Sequence, residues 1–272
     1  MRLVTVRRDG RTQAGRVEGD SVTLLGSADV GGLLKLPDWR ALAQADGERI
    51  SFDPLGLAPL VVHPGKVICV GLNYANHIVE MGRELPDSPT LFTKFDSSLC
   101  GPTDSIALPQ ESTKVDWEAE LAVVIGSPAR RVPVERALDH VAGYTVMNAV
   151  SMRDWQNRTT QWLAGKAWEA SSPLGPVLVT PDELPEGASG LRISCAVNGE
   201  IVQDDNTDDL LFGAAALIAD ISIFTTLQPG DVIATGTPGG VGAGRTPPMF
   251  LGRGDRMRTE IEGIGSLDNL LI

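Results

Sequence analysis

The segment Asp116–Gly126 carries the residues best suited to chemistry. Its sequence, DWEAELAVVIG, places Glu118 and Glu120 two residues apart in an apolar run. Because alternate side chains of a strand share a face, both carboxylates are expected on the same side as Ala122 and Val124. Adjacent buried carboxylates repel each other and persist only with a proton or a cation between them. Oxygen ligands favour Mg²⁺ or Mn²⁺, with Ca²⁺ also compatible. A strand end that emerges into solvent is the alternative.

A second candidate is the segment Asn73–Glu80, which follows a predicted strand at 67–72. If this segment is helical, His77 and Glu80 lie on one face, three residues apart. A carboxylate that orients an imidazole and raises its basicity makes it an effective general base. An ordinary surface His–Glu pair is the alternative interpretation.

Three further segments place polar residues near predicted strands. Arg153 and Gln156 lie on one turn after the run GYTVMNAV, and Lys166 is a lone cation in apolar surroundings. The turn TGTPGGVG, which contains Gly236 and Thr237, lacks the G-x-x-x-x-G-K-[ST] pattern, so no nucleotide cofactor is expected. Exposed backbone and threonine hydroxyls suit a carboxylate or a keto acid better. A serine hydrolase is also disfavoured, since no G-x-S-x-G elbow occurs.

Short β-rich runs separated by 30 glycines and 18 prolines make up much of the sequence. The alternating pattern of residues 2–25 predicts a small antiparallel meander. The pattern of residues along the chain changes after His63-Pro64-Gly65. We therefore predict a β-rich α+β protein with a small N-terminal β domain at 1–62 and a main domain at 63–272.

Two local signals within the main domain are specific. Asn198-Gly199, between two apolar runs, predicts a two-residue hairpin turn. One long helix is expected to begin at Thr207, where the hydroxyl can cap the first turn. Its apolar stripe recurs at helical spacing, at Leu210, Ala214, Leu217, Ile221 and Phe224.

Composition limits the function classes. The chain has 272 residues, 42% hydrophobic and 21% charged, and therefore can bury a substantial core. Its net charge of −12 argues against a nucleic-acid partner, which requires a basic surface. No apolar run reaches membrane-spanning length, and the first residues lack a secretory signal, so no membrane partner is expected. Three scattered cysteines indicate reduced thiols and a cytoplasmic location.

Taken together, these segments resemble the fumarylacetoacetate hydrolase family. The resemblance spans about 66–272 and rests on KVICVGLNYANHIVEMG, PTLFTKF, VDWEAELAVVIG, GYTVMNAVSMRDWQ, PLGP, VNGEIVQ and PGDVIATGTPGGVG. It implies a mixed β-sandwich roll, a homodimer and use of Mg²⁺ or Mn²⁺. Members cleave acylpyruvates, decarboxylate oxaloacetate or isomerise hydroxymuconate-type diacids. Hydrolysis of a C–C bond in an acylpyruvate is our first expectation. Decarboxylation and the isomerisation of 2-hydroxyhepta-2,4-diene-1,7-dioate are the alternatives.

The resemblance also implies roles for individual residues. Glu118 and Glu120 match metal-binding carboxylates, and His77 with Glu80 matches a dyad that activates water. Lys166 is expected to stabilise a pyruvate enolate. The positions that match groups holding the carboxylate and oxo groups of a small oxo-acid substrate are Arg153, Gln156, Gly236 and Thr237.

One position departs from the family pattern. The family motif Asn-Asp-Val-Ser supplies a third metal-binding aspartate, but this chain reads Asn148-Ala149-Val150-Ser151. A methyl group cannot coordinate a cation, so Ala149 indicates an engineered knockout or a natural member with a weakened site. We expect poor metal binding and impaired activity, or a catalytically silent small-molecule binder. Glu169 is a smaller departure, since many members carry aspartate there.

Overall fold

The computed structural model describes residues 1–80 and 84–272, apart from the side chains of His77, Val79 and Glu80. The strands of the described residues are β1 (Arg2–Arg8), β2 (Arg11–Glu18), β3 (Ser21–Leu24), β4 (Arg49–Ser51), β5 (Val67–Gly71), β6 (Thr90–Lys94), β7 (Leu99–Cys100), β8 (Val115–Asp116), β9 (Ala119–Ile125), β10 (Val141–Asn148), β11 (Ser151–Met152), β12 (Ser172–Val179), β13 (Arg192–Val197), β14 (Glu200–Asn206), β15 (Val232–Ala234), β16 (Arg256–Ile261) and β17 (Gly265–Leu270).

Short helices connect these strands. The α-helices are α1 (Val30–Leu34), α2 (Trp39–Leu42), α3 (Ala75–Glu80), α4 (Val134–Ala137), α5 (Arg153–Gln156), α6 (Leu163–Lys166) and α7 (Ala214–Phe224). Single 3₁₀ turns lie at Pro54–Gly56, Asp96–Ser98, Leu138–His140, Pro181–Glu183, Glu186–Ala188, Thr207–Asp209 and Gly242–Gly244.

The strands form one large mixed sheet and two smaller sheets. The large sheet has eleven strands in the order β4-β3-β2-β1-β12-β10-β9-β15-β5-β6, with β7 paired to β12. Most neighbours are antiparallel, whereas β5 with β15 and β7 with β12 run parallel. A four-stranded sheet, β14-β13-β16-β17, and the pair β11-β8 complete the architecture. The predicted β-rich α+β class is confirmed.

Strand β9 lies in the interior of the large sheet, between β10 and β15, and positions the candidate site. All seven of its residues are buried, because β10 and β15 flank its edges and apolar side chains cover both faces. Leu121, Val123 and Ile125 belong to one core cluster and Ala122 and Val124 to another. Full burial of each larger aliphatic side chain contributes about 1.5–3 kcal/mol. A strand covered on both faces therefore reads as a continuous apolar run.

The predicted N-terminal meander is present as β1, β2 and β3. Strand β1 also pairs with β12, with Leu3 opposite Leu178, so the strands of residues 1–62 extend the large sheet. The boundary between 62 and 63 stays a prediction. Cys69, Cys100 and Cys195 are free and buried, which agrees with reduced core thiols. None of the described helices is both long and apolar enough to cross a membrane.

The two local predictions had different outcomes. The hairpin at Asn198-Gly199 is confirmed, with φ of 53° and 84° at the two turn residues between β13 and β14. The predicted start of the long helix at Thr207 was wrong, because α7 begins at Ala214. The Thr207 hydroxyl instead donates to Ala188 O and accepts from Leu191 N–H, which anchors the preceding segment.

Candidate active site

A cavity of about 370 Å³ opens where the large sheet meets the 235–244 turn and helices α5 and α6. It contains six of the residues predicted from the sequence. The lining residues are Val70, Gly71, Leu72, Phe92, Glu118, Glu120, Arg153, Gln156, Asn157, Trp162, Lys166, Thr237, Val241, Ala243 and Gly244. The predicted dyad of His77 and Glu80 lies on α3, but its side chains are outside the described residues.

Glu118 is held between two cations. Lys166 Nζ lies 2.5 Å from Glu118 Oε2, and Arg153 Nη1 lies 2.7 Å from Oε1. Burial alone would raise the pKa of Glu118, but the two cations more than offset this and lower its pKa to about 2. Glu118 is therefore ionised at neutral pH, and both of its oxygens already have partners.

Glu120 has the opposite electrostatic environment. Burial and the neighbouring Glu118 charge raise the pKa of Glu120 to about 8, against the opposing effect of Lys166. One described hydrogen bond reaches it, from Gly236 N–H to Oε2 at 2.8 Å. Two glutamates two residues apart thus differ in charge state at neutral pH, because only one of them has two cations bound.

Arg153 is oriented by a residue to which the sequence assigned no role. Asp116 is fully buried and accepts from Arg153 Nε at 2.8 Å. Its two oxygens also accept from the backbone N–H groups of Trp117, Gly242 and Ala243. Asp116 therefore fixes the guanidinium of Arg153 and links it to the turn around Gly242. Asp116 is the first residue of the segment DWEAE, but nothing in the spacing of that segment indicates which partner the aspartate binds.

Lys166 reaches the cavity from the end of α6. Helix α6 lies close to α5 because Gly165 has no side chain; a Cβ there would come within 2.5 Å of Gln156 N. The Lys166 ammonium lies 4.8 Å from the centre of the Phe92 ring, a cation–π distance. Lys94, buried behind the site, donates to Lys166 O and Val150 O. Burial lowers the pKa of Lys94 to about 8.

The turn after β15 contributes Gly236 and Thr237. Gly236 adopts a φ of +101°, a conformation that glycine reaches without strain, and its N–H is thereby directed at Glu120. A Cβ at Gly236 would lie 3.0 Å from Val70 O, so the close approach also favours glycine. Thr237 lines the cavity, and its hydroxyl accepts a hydrogen bond of 2.8 Å from Gln203 Nε2.

The donor set for a metal ion is incomplete. Ala149 is fully buried and offers only a methyl group, with its N–H bonded to Glu118 O. Asn148 cannot substitute, because its Oδ1 accepts from Glu118 N–H and its Nδ2 donates to Thr259. Across the described part of the chain, no group of three His, Cys, Asp or Glu side chains could hold a metal ion. Since Glu118 is also bound by two cations, these residues do not fit a tightly bound divalent ion.

Comparison with known proteins agrees with this architecture. The model of the fumarylacetoacetate (FAA) hydrolase C-terminal family matches residues 66–272. The chain belongs to the fumarylacetoacetate hydrolase family. The structure of the fumarylacetoacetate hydrolase from Exiguobacterium antarcticum superimposes with a TM-score of 0.89 at 35% identity, covering 100% of this chain and 99% of that one. The predicted family fold, a mixed β-sandwich roll, is thereby confirmed.

Two further relatives carry more specific names. The mitochondrial oxaloacetate tautomerase Fahd2a of Rattus norvegicus is 51% identical over 217 residues, which cover 79% of this chain and 69% of the rat protein. The 5-carboxymethyl-2-hydroxymuconate delta-isomerase of Mycobacterium smegmatis superimposes with a TM-score of 0.84 at 32% identity, covering 100% of this chain and 99% of that one. These names agree with the alternatives implied by the family resemblance better than with acylpyruvate hydrolysis, which stays a prediction.

Proposed function

We propose that this chain is a tautomerase that interconverts the keto and enol forms of oxaloacetate or a closely related short 2-oxo dicarboxylate. The observation that carries the proposal is the convergence of Lys166 and Arg153 on Glu118 in the cavity. Two cations held in fixed positions can bind a substrate carboxylate and the oxygen on which enolate charge develops. The name of the rat relative supports the choice of oxaloacetate.

Charge within the cavity favours a dianionic substrate although the whole chain carries −12. Lys166 and Arg153 in the cavity and Lys94 behind it bring three positive charges, whereas Glu118 in the cavity and Asp116 beside Arg153 bring two negative charges. Glu120, with its pKa near 8, adds little negative charge at neutral pH. The cluster is therefore positive overall, and burial strengthens its attraction for an anion.

Tautomerisation moves one proton. The C3–H bond of the keto acid breaks, and an O–H bond forms on the C2 oxygen. Lys166 would stabilise the intermediate enolate oxygen, because its ammonium is held in place before the reaction begins. Glu120, protonated at neutral pH, would donate its proton to the C2 oxygen and would be reprotonated by the proton removed from C3. The family resemblance implies a water-activating dyad of His77 and Glu80, and we propose that in tautomerisation the same His77, oriented by Glu80, acts as the base at C3.

Hydrolysis and decarboxylation pass through a related enolate. Decarboxylation of oxaloacetate releases CO₂ and leaves a pyruvate enolate, and acylpyruvate hydrolysis requires an attacking water in addition. Tautomerisation needs neither step. Of the three reactions, tautomerisation therefore requires the fewest catalytic groups. This suits a site in which Ala149 stands where the family resemblance implies a metal-binding aspartate.

A divalent ion, when bound, would supply Lewis acidity to the substrate oxygens. We propose that Mg²⁺ or Mn²⁺ binds weakly near Glu118 and Glu120, and no step above depends on it. We also propose that the chain assembles as a homodimer and that it is located in the cytoplasm.

The experiment is a panel of substrates followed by product. Oxaloacetate would be assayed for enol conversion and for CO₂ release, and an acylpyruvate for cleavage, each with and without Mg²⁺. The proposal expects enol conversion to exceed both other rates. Dominant CO₂ release or acylpyruvate cleavage would replace it with the corresponding alternative, and no turnover of any substrate would favour a catalytically silent binder.

A further inference from the structure

The VNGEIVQ segment ends in Gln203, a residue to which neither the sequence nor the proposed function assigned a role. Gln203 lies on β14 and is only 2% exposed. Its Oε1 accepts from Ala119 N–H at 3.0 Å. Its Nε2 donates to Pro238 O at 3.0 Å and to Thr237 Oγ1 at 2.8 Å. One amide thus joins the backbone between Glu118 and Glu120 to the turn that carries Thr237.

The orientation of this amide is determined by its backbone partners. Ala119 N–H can only donate, so it must face the oxygen of Gln203, and Pro238 O can only accept, so it must face the nitrogen. With both ends assigned, the remaining hydrogen on Nε2 points at Thr237 Oγ1. The Thr237 hydroxyl must then accept at this contact, and its own hydrogen is left for another acceptor.

We propose that Gln203 is a positioning residue that makes Thr237 a hydrogen-bond donor to an anionic oxygen of the substrate. Thr237 lines the cavity together with Arg153 and Lys166, whose positive charges attract such an oxygen. A hydroxyl that accepts from an amide is also polarised toward donation. The inference rests on the proposed function for the identity of the substrate, a short 2-oxo dicarboxylate.

The test is a double-mutant cycle between Gln203 and Thr237. Gln203→Met keeps the length of the side chain but removes the amide, and Thr237→Val removes the hydroxyl. Each single variant should raise KM for oxaloacetate about 10-fold or more, the usual range for a hydrogen bond to a charged group, with a smaller change in kcat. Because Gln203 acts through Thr237, the double variant should resemble Thr237→Val alone. If the double variant instead raised KM by the product of the two single increases, the proposal would be overturned.

A second variant addresses the possibility that Gln203→Met does not fold. Gln203→Glu still accepts from Ala119 N–H, but its other oxygen now takes the hydrogen of Thr237. KM should rise for Gln203→Glu, and in a Thr237→Val background the remaining increase should be smaller, since only the added charge and the lost hydrogen bond to Pro238 O act there. An equal increase in both backgrounds would contradict the role of the hydroxyl. Gln13→Met, which removes a hydrogen bond to Leu25 O in the N-terminal strands, is the matched control.

Failure of the proposed function would be distinguishable from failure of this inference. If the unmodified protein does not turn over oxaloacetate, the same cycle would be measured on the Kd for oxalate, a non-reacting dianion, by calorimetry. Non-additive Kd values would support the inference without the tautomerase activity. Additive values, or no binding of oxalate at millimolar concentration, would overturn it.

Discussion

Arg153 and Lys166 bind opposite oxygens of the same carboxylate, that of Glu118, at 2.7 Å and 2.5 Å. The two cations are therefore held at a fixed separation in the cavity by a group that is ionised at all ordinary pH values. Asp116 on one side and Gly165 on the other make this arrangement possible. The geometry assigns Glu118 a structural task, which is to hold these two cations in place.

Replacing Lys166 tests the role of its charge. In Lys166→Met, oxaloacetate turnover should show a higher KM and a lower kcat together, because the ammonium binds the substrate and stabilises the enolate. A loss of on the order of 10²-fold in kcat/KM is expected for removal of one preorganised charge. Lys35→Met, at an exposed position, is the control. A change in thermal stability without a change in kinetics would indicate a purely structural lysine.

Restoring the missing carboxylate tests metal binding. Ala149→Asp places a third carboxylate near Glu118 and Glu120, and calorimetric titration should show affinity for Mn²⁺ rising by at least about 10–100-fold, since even indirect support of a ligand is worth that much. Without metal the variant should melt lower than the unmodified chain, because a third carboxylate joins the buried pair, and Mn²⁺ should reverse this. Ala149→Asn is the neutral control. Equal Mn²⁺ affinity in all three proteins would show that position 149 is not a ligand position.

The raised pKa of Glu120 predicts a pH dependence of stability. Its pKa moves from 4.5 to about 8 on folding, so between these values the folded state binds more protons than the unfolded state. The contribution of Glu120 to the free energy of unfolding must then fall as pH rises through this window. Denaturant unfolding at several pH values should give the free energy of unfolding of the unmodified chain minus that of Glu120→Gln. This difference should fall from pH 5 to pH 8. A pH-independent difference would contradict the raised pKa.

The dyad implied by the resemblance is tested by His77→Ala. If His77 is the general base, oxaloacetate tautomerisation should fall by on the order of 10²–10⁴-fold. Any acylpyruvate hydrolysis should fall similarly, because it needs an activated water. The control is His140→Ala, which removes an imidazole that contacts the Ser127 hydroxyl. Unchanged rates in His77→Ala would transfer the role of base to another group, with Glu120 the first candidate.

The sequence predicted the composition of the site better than its connections. The spacing of Glu118 and Glu120 indicated two buried carboxylates in one place, and both are buried and line one cavity. Their opposite pKa shifts could not be predicted. They depend on Arg153 and Lys166, which lie 35 and 48 residues from Glu118 in the chain and approach it only after folding.

Short sequence motifs predicted local structure correctly where neighbouring residues alone determine that structure. Asn198-Gly199 specifies its turn because its residues tolerate positive φ, and that hairpin formed. Thr207 failed as a helix start because its hydroxyl is used by Ala188 and Leu191, contacts that sequence spacing does not reveal. Gln203 lacked a predicted role for the same reason, since its partners lie in distant segments.

The most direct test of the proposed function starts from oxaloacetate in its enol form. The decay of enol absorbance toward the keto–enol equilibrium would be followed in buffer containing Mg²⁺, with the unmodified chain, with Lys166→Met and without protein. The account predicts a rate that increases in proportion to the concentration of the unmodified chain and is largely lost in Lys166→Met. A rate equal to that of buffer alone, or equal rates for the two proteins, would contradict it.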